Sequence, residues 1–175
     1  MCVICDKTYN NNVNLIIENC DKIENINVKL KNIISLKISN CPNLKKIDFG
    51  ILNVNNILIT KCDSLSVIRY LRNINNLIIV DCTNLEIVKN LFNINNFVLS
   101  GLNALSIISY LTNMNNMTIH NCEVYTARVS NIINITKKVK QLNYIRMNGS
   151  FNKPITIYEK DNITLHGLSL LSSLL

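Results

Sequence analysis

The sequence predicts an α/β-type repeat solenoid with a parallel concave β-sheet and short 3₁₀ or irregular convex segments. The first observation is a strict period, because Asn-x-Asn-Asn followed by an apolar residue recurs from Asn53, Asn73, Asn93 and Asn113, at intervals of twenty residues. The second observation is a tract in each repeat where apolar residues alternate with other residues. The third is that apolar residues recur at every third position after this tract. A fixed period of this length is typical of solenoids, whose repeats bury their apolar faces only against their neighbours.

The alternating tract predicts the strands of the concave sheet. Residues 77–80, Leu-Ile-Ile-Val, are branched and apolar and have the period of a half-buried strand. The return between successive tracts is a dozen residues or more. A connection of this length indicates that neighbouring strands pair in parallel.

The return between strands predicts the convex side. Apolar residues recur at every third position, at Leu65, Ile68 and Leu71, and again at 85, 88 and 91. Side chains three apart eclipse one another in a 3₁₀ turn, whereas an α-helix alternates spacings of three and four. We therefore expect 3₁₀ or irregular segments on this side.

The spacing within each repeat resembles the leucine-rich repeat, written L-x-x-L-x-L-x-x-[N/C]-x-L. The apolar slots hold Val54, Ile57 and Ile59; Ile74, Leu77 and Ile79; Ile94, Phe97 and Leu99; and Met114, Met117 and Ile119. The composition is similar to that of leucine-rich repeat proteins of insect poxviruses and other large DNA viruses. The resemblance implies a non-catalytic protein-binding module, such as a viral or pathogen adaptor or effector that engages a host protein through its concave sheet.

We expect one leucine-rich repeat domain over residues 1–175, because the chain has no Pro/Gly/Ser-rich linker. It divides into an N-terminal cap at 1–11, regular repeats at 12–125, and degenerate repeats with a C-terminal cap at 126–175. End repeats are usually atypical since they face solvent on one side. Leu142, Ile145 and Met147 are predicted to restart the pattern, with Ser150 in the Asn/Cys slot.

The Asn/Cys slot predicts a buried structural Cys ladder. It is filled by Cys20, Cys41, Cys62, Cys82 and Cys122, and Leu102 is the one departure in the regular part. The start of the chain does not resemble a secretory signal, and no segment reaches the roughly 18 apolar residues of a membrane span. The sequence therefore favours the cytoplasm, of the cell itself or of a host, where thiols stay reduced.

Cys2 and Cys5 form a C-x-x-C that could be half of a zinc site. Zinc needs four ligands, and the chain supplies no second C-x-x-C or His pair at a zinc spacing. His120 and His166 lie far away in sequence. The alternative, which we favour, is two thiols that cap the first repeat, with no metal and no cofactor.

Strand alternation allows the exposed concave face to be predicted residue by residue. The predicted partner-binding residues are Asn56, Leu58, Thr60, Asn76, Ile78, Val80, Asn96, Val98, Ser100, Asn116, Thr118 and His120. Leu58, Ile78 and Val98 would form an apolar strip rimmed by asparagines, as in many protein-binding surfaces. The alternative is that a second copy or the C-terminal tail covers this strip.

Two further columns of repeated residues each have two interpretations. The Asn column of the concave face is a structural amide ladder or a set of ligand contacts. On the convex side, Val67, Ile87 and Ile107 either complete the fold or contribute to self-association. A structural, self-associating solenoid, a monomer or weak homo-oligomer in solution, is therefore the leading alternative function.

The formal charge of +7 makes a weak nucleic-acid binder the third hypothesis. The lysines concentrate near 29–46 and 137–140, and the predicted strand face shows no basic stripe with stacking aromatics. An enzyme is not expected, because the chain has two distant histidines, no Gly-rich phosphate loop and no paired carboxylates on one face.

Overall fold

The chain forms a parallel β-solenoid. The computed structural model describes residue 5 and residues 14–27, 33–48, 54–138 and 141–147, with side-chain surroundings up to residue 122. Every strand pair in these ranges is parallel. The same ranges contain no helix.

The strands fall into two groups by length. The short ones are β1 (Asn14–Glu18), β2 (Asn25–Ile26), β3 (Ser35–Ser39), β4 (Lys46–Asp48), β5 (Asn56–Thr60) and β6 (Val67–Arg69). The longer ones are β7 (Arg72–Val80), β8 (Ile87–Ser100), β9 (Leu105–His120), β10 (Glu123–Lys138) and β11 (Gln141–Met147). The long strands are continuous because parallel pairing with the neighbouring turn extends to both sides of each bend in the chain.

The strands build two stacked faces. The wide face follows β1, β3, β5 and residues 76–80, and continues through 96–100 and 116–120. The second face follows β2, β4, β6 and continues through 87–89 and 107–109. Strands β8 and β9 take part in both faces, so the later turns are bent ribbons, whereas the first turns are divided into separate short strands.

Residues with left-handed backbone form the corners between faces. Three groups repeat at fixed positions in the turn, and their φ angles lie between 51° and 66°. The groups are Asn19, Asn40, Lys61, Asp81, Gly101 and Asn121; Tyr70, Asn90 and Tyr110; and Asn73, Asn93 and Asn113. Asn is among the side chains that adopt this conformation most readily. The first Asn of the motifs that start at 73, 93 and 113 is therefore a corner residue, and these turns are three-sided.

The interior is a continuous apolar column enclosed by the three sides. Its members are at most 5 % exposed, and Phe97 is the largest fully buried side chain. The residue after each corner points inward, as Leu71 and Ile74 do after the corners at 70 and 73. Each turn thus contributes a complete cross-section of aliphatic groups to the one below it.

The predicted 3₁₀ segments of the convex side are wrong for the described residues. Ile68 lies in the middle of strand β6, and Val88 and Ile108 pair with it across successive turns. The apolar spacing of three has another cause. Leu71 follows the left-handed corner at Tyr70, which rotates the chain so that residues 68 and 71 both face inward. The described solenoid is consequently all-β, without the convex layer of the α/β-type repeat.

The degenerate region continues the solenoid as far as the structure describes it. Strand β10 pairs with β9, and the repeat shortens there, because Asn134 stands opposite Asn116. The repeat pattern predicted to restart at Leu142 was expected on the wide face. The structure instead aligns Ile145 with Ala127 and, through it, with Ile108 on the second face. Ser150, the rest of the C-terminal cap and most of the N-terminal cap lie outside the described residues.

The interior packing predicts a large difference between two phenylalanines of the same repeat. Phe97→Ala should lower the free energy of unfolding by about 3–5 kcal/mol, because it leaves a cavity in the column. Phe92→Thr should change it by no more than about 0.5 kcal/mol, since Phe92 is exposed and Thr112 occupies the same place one turn on. Urea unfolding followed by circular dichroism measures both, and equal losses would contradict the interior assigned to Phe97.

Candidate functional site

The predicted partner-binding residues lie on the wide face in three rows. Asn56, Asn76, Asn96 and Asn116 stand side by side on successive strands. The middle row holds residues 58, 78, 98 and 118, and the third holds residues 60, 80, 100 and 120. Parallel pairing spaces neighbouring members of a row by about 4.8 Å. The structure therefore brings the whole set together as one surface.

The asparagine row is a continuous amide ladder. Asn76 Nδ2 donates to Asn56 Oδ1 at 2.6 Å, and Asn96 and Asn116 repeat the bond at 2.8 and 2.7 Å. Each amide uses one N–H and one oxygen lone pair within the ladder, which leaves further donor and acceptor capacity on its outer side. The ladder thus stabilises the stack and still presents polar groups to a ligand.

Two further amide ladders were not predicted as ladders. Asn93 donates to Asn73, and Asn113 donates to Asn93, both at 3.1 Å. The third ladder runs through residues 75, 95 and 115. All three polar positions of Asn-x-Asn-Asn therefore stack on themselves, and the exact repetition of the motif was the available sequence signal.

The middle row differs from its prediction, because part of the apolar strip is not exposed. Leu58 is 3 % exposed and Ile78 is 1 % exposed, although both lie outside the interior cluster. Val98 and Thr118 are half-buried, and Ile16 at the first turn is exposed. The accessible part of the strip is therefore displaced toward Val98, and an open surface centred on Leu58 and Ile78 is wrong.

The third row changes from charged to uncharged along the solenoid. It begins with Glu18 and Ser39, and Ser39 donates a hydrogen bond to the Glu18 carboxylate. Lys37 of the middle row places its Nζ 2.8 Å from the same carboxylate. The hydrogen bonds from Lys37 and Ser39 lower the pKa of Glu18. Farther along, Thr60, Val80, Ser100 and His120 are half-buried, and Ser100 Oγ lies 3.4 Å from His120 Nδ1. From residue 56 to residue 120, the outward residues of this face carry no formal charge when His is neutral.

The cysteines form a buried column beside the wide face. Cys20, Cys41, Cys62, Cys82 and Cys122 are buried, and Leu102 fills the same position between the last two. Most of them donate to the carbonyl two residues earlier, as Cys41 does to Ser39 at 3.4 Å. These thiols fill space in the solenoid and satisfy backbone groups where the strand ends.

The thiols influence one another's protonation. A hydrogen bond with Cys62 raises the pKa of Cys41, and burial adds to the rise. A hydrogen bond with Cys41 lowers the pKa of Cys62, but the bond with Cys82 and burial outweigh it and raise that pKa to about 12. The hydrogen bond with Cys62 lowers the pKa of Cys82, and burial opposes this.

Cys5, which the sequence predicts to cap the first repeat, lies beside the first member of the Cys column. Its Sγ lies 3.7 Å from Cys20 Sγ, so it extends the Cys column by one place. Cys2 lies outside the described residues. Among the side chains that the structure describes, no three His, Cys, Asp or Glu residues are grouped so that they could hold a metal ion.

Comparison of the chain with protein-family models, with characterised proteins and with solved structures gives no significant match. In the described ranges, no helix has the length and apolar character needed to cross a membrane.

The amide ladder predicts a stability cost at its centre. Asn96→Ala removes the hydrogen bonds to Asn76 and from Asn116, and should lower the free energy of unfolding by about 1–3 kcal/mol. Asn103→Ala is the matched control, because Asn103 is exposed, and should cost less than about 0.5 kcal/mol. Chemical denaturation of both variants tests this, and an Asn96 loss no larger than that of Asn103 would show that the ladder does not stabilise the fold.

The raised thiol pKa values predict a loss of stability in alkali. Above about pH 9 the unfolded chain releases its thiol protons, whereas Cys41 and Cys62 keep theirs in the folded state. The folded state then binds more protons, so the free energy of unfolding falls as pH rises toward about 12. Urea unfolding at several pH values should show a shallower decline for a Cys41→Ala/Cys62→Ala variant than for the original chain. Equal slopes would contradict the assigned shifts.

Proposed function

We propose that the chain is a non-catalytic protein-binding module that holds its partner on the open half of the wide face. This half consists of Val98 and Thr118 in the middle row, between the asparagine ladder on one side and Val80, Ser100 and His120 of the third row on the other. The observation that carries the proposal is the uncharged, in-register arrangement of these residues from Asn56 to His120.

The chemistry of this half is that of the centre of a protein interface. Interface centres are depleted of charge and combine apolar contact with hydrogen-bonding groups. Here the half-buried Val98 supplies apolar contact, while Asn96 and Ser100 stand two residues away on either side. A partner would insert an apolar side chain beside Val98 and place its polar groups against the amides and hydroxyls.

The fold gives this surface little freedom to rearrange. Asn96 is held by the ladder on both sides, and Val98 lies on a strand paired with β7 and β9. A surface that is already ordered loses less conformational entropy when a partner binds. This rigidity favours recognition of one partner shape over catalysis with moving groups.

The proposal includes a cellular role. The chain would act in the cytoplasm as an adaptor, or as a viral or pathogen effector that occupies a host protein. What supports this part is the resemblance of the apolar spacing to the leucine-rich repeat, whose concave sheet is expected to bind proteins. The wide face of this chain is likewise a sheet of stacked parallel strands.

A charge placed at the centre of the open half tests the proposal. Val98→Lys is suited to the fold, because Lys37 occupies the same row. Ile87→Lys is the matched control on the second face, where Lys46 occupies the same row. With immobilised protein and cell lysate, Val98→Lys should lose about 90 % or more of the captured partner, as expected for a buried interface charge, while Ile87→Lys keeps it.

The contrary outcome separates the proposal from self-association. If Val98→Lys retains the partner, the open half of the wide face is not the binding site. If the original chain instead forms oligomers in sedimentation experiments and Ile87→Lys dissociates them, the solenoid associates through its second face. The structural alternative would then replace the binding module.

A further inference from the structure

A second surface lies at the corner between the second face and the next side of the turn. It comprises three rows on successive turns: Arg69, Lys89 and Ser109; Tyr70, Asn90 and Tyr110; and Arg72, Phe92 and Thr112. We call this surface the aromatic corner. It is separate from the open half of the wide face, and the protein-binding proposal does not use it.

The aromatic side chains of the corner are open to solvent. Tyr70 is 37 % exposed, Phe92 is 41 % exposed and Tyr110 is 66 % exposed. Tyr70 and Tyr110 occupy left-handed corner positions two turns apart, and Phe92 lies beside the intervening corner residue Asn90. Since one turn rises by about 4.8 Å, the two tyrosines are separated by roughly 10 Å along the solenoid. Phe92 falls between them in height, so the three rings form a staggered array.

Cations are interleaved with these rings. The Arg69 guanidinium lies 5.1 Å from the centre of the Tyr70 ring, within cation–π distance. Arg72 is exposed and Lys89 is half-buried, on the rows to either side. The three rows contain no carboxylate from residue 69 to residue 112. Asp48, one turn below Arg69, is already paired with Arg69 and Lys46 at 2.9 Å.

We propose that the aromatic corner binds single-stranded nucleic acid, with bases stacked on the rings and phosphates paired with the cations. Stacking platforms flanked by positive charge are the general means by which proteins hold single strands without sequence preference. The net charge of +7 adds a long-range attraction for a polyanion. A single strand carries bases and phosphates in alternation, and rings interleaved with cations match both groups.

The sequence alone did not reveal this surface, because the basic and aromatic residues are spread over repeats and lie off the predicted strand face. The corner brings them together. Tyr70 and Tyr110 are forty residues apart in sequence and face the same way only because each turn is in register. This placement supplies the aromatic groups that the charge-based hypothesis of nucleic-acid binding lacked.

The rows themselves supply substitutions that suit the fold. Asn90 stands at the same corner as the tyrosines, and Thr112 and Ser109 stand in the rows of Phe92 and Lys89. The aromatic variant is therefore Tyr70→Asn/Phe92→Thr/Tyr110→Asn, and the basic variant is Arg72→Thr/Lys89→Ser. The control is Lys45→Gln/Lys61→Gln, because both lysines are exposed elsewhere on the surface.

The experiment is fluorescence anisotropy with a labelled oligothymidylate of about 15 nucleotides, measured between low and moderate salt. The original chain should bind it, and the logarithm of the affinity should fall linearly with the logarithm of salt concentration. The aromatic variant should weaken binding by about tenfold or more at each salt concentration. The basic variant should reduce the salt slope by about 1.4, which corresponds to two phosphates, and the control should stay within about twofold of the original chain.

Three results would overturn the proposal, provided that circular dichroism shows the variants folded. The first is that the original chain shows no salt-dependent binding, and the second is that the aromatic variant binds with unchanged affinity. The third is equal affinity for a duplex of the same length, because this would indicate attraction to phosphates without base stacking. Val98→Lys should bind the oligonucleotide as the original chain does. Failure of the protein-binding proposal can therefore be distinguished from failure of this one.

Discussion

The structure depends on in-register stacking, since every residue lies against its own counterpart in the turns above and below. Each side chain must therefore pack against, or hydrogen-bond to, the equivalent side chain of the next turn, about 4.8 Å away. Amides satisfy this requirement by donating to the next oxygen, as Asn76 does to Asn56. Aliphatic groups and thiols satisfy it by packing, as Ile57 and Leu77 or Cys62 and Cys82 do in the interior. Like charges do not, because repulsion between identical neighbours destabilises a sheet. This explains why the regular turns present few charges on their wide face.

The same constraint distributes function over the surface. Interior rows accept only other apolar groups, as Leu102 and Phe97 show, so changes between polar, charged and aromatic character collect on outward rows and corners. Val98 and Thr118 vary in the middle row of the wide face, and Tyr70, Asn90 and Tyr110 vary at one corner. The two proposed binding surfaces consist of such rows. One is uncharged, as the centre of a protein interface is, and the other combines rings and cations, as surfaces that bind single strands do.

The repeat period was enough to predict the strands of the wide face and the Cys column. The path of the chain after each left-handed corner residue could not be predicted from it. The period places Leu77 and Ile79 inside parallel strands and the cysteines in one column, and both are found there. The spacing of Leu65, Ile68 and Leu71 is ambiguous, because a 3₁₀ turn and a strand that ends at a left-handed corner give the same pattern. Tyr70 hides that corner, since Tyr is not a residue typical of left-handed backbone. The burial of Leu58 and Ile78 depends on packing outside the interior, which strand alternation does not describe.

The central claim is that the return of each turn is itself a parallel strand. Nuclear Overhauser contacts between backbone protons of Ile68, Val88 and Ile108 test it most directly, because these residues stand opposite one another on the second face. In a deuterated, selectively labelled sample, the account predicts cross-strand contacts between residues about 20 positions apart and extended chemical shifts through 87–89. Contacts between residues i and i+3 across 85–91, without the long-range ones, would show a 3₁₀ return and contradict the three-sided solenoid.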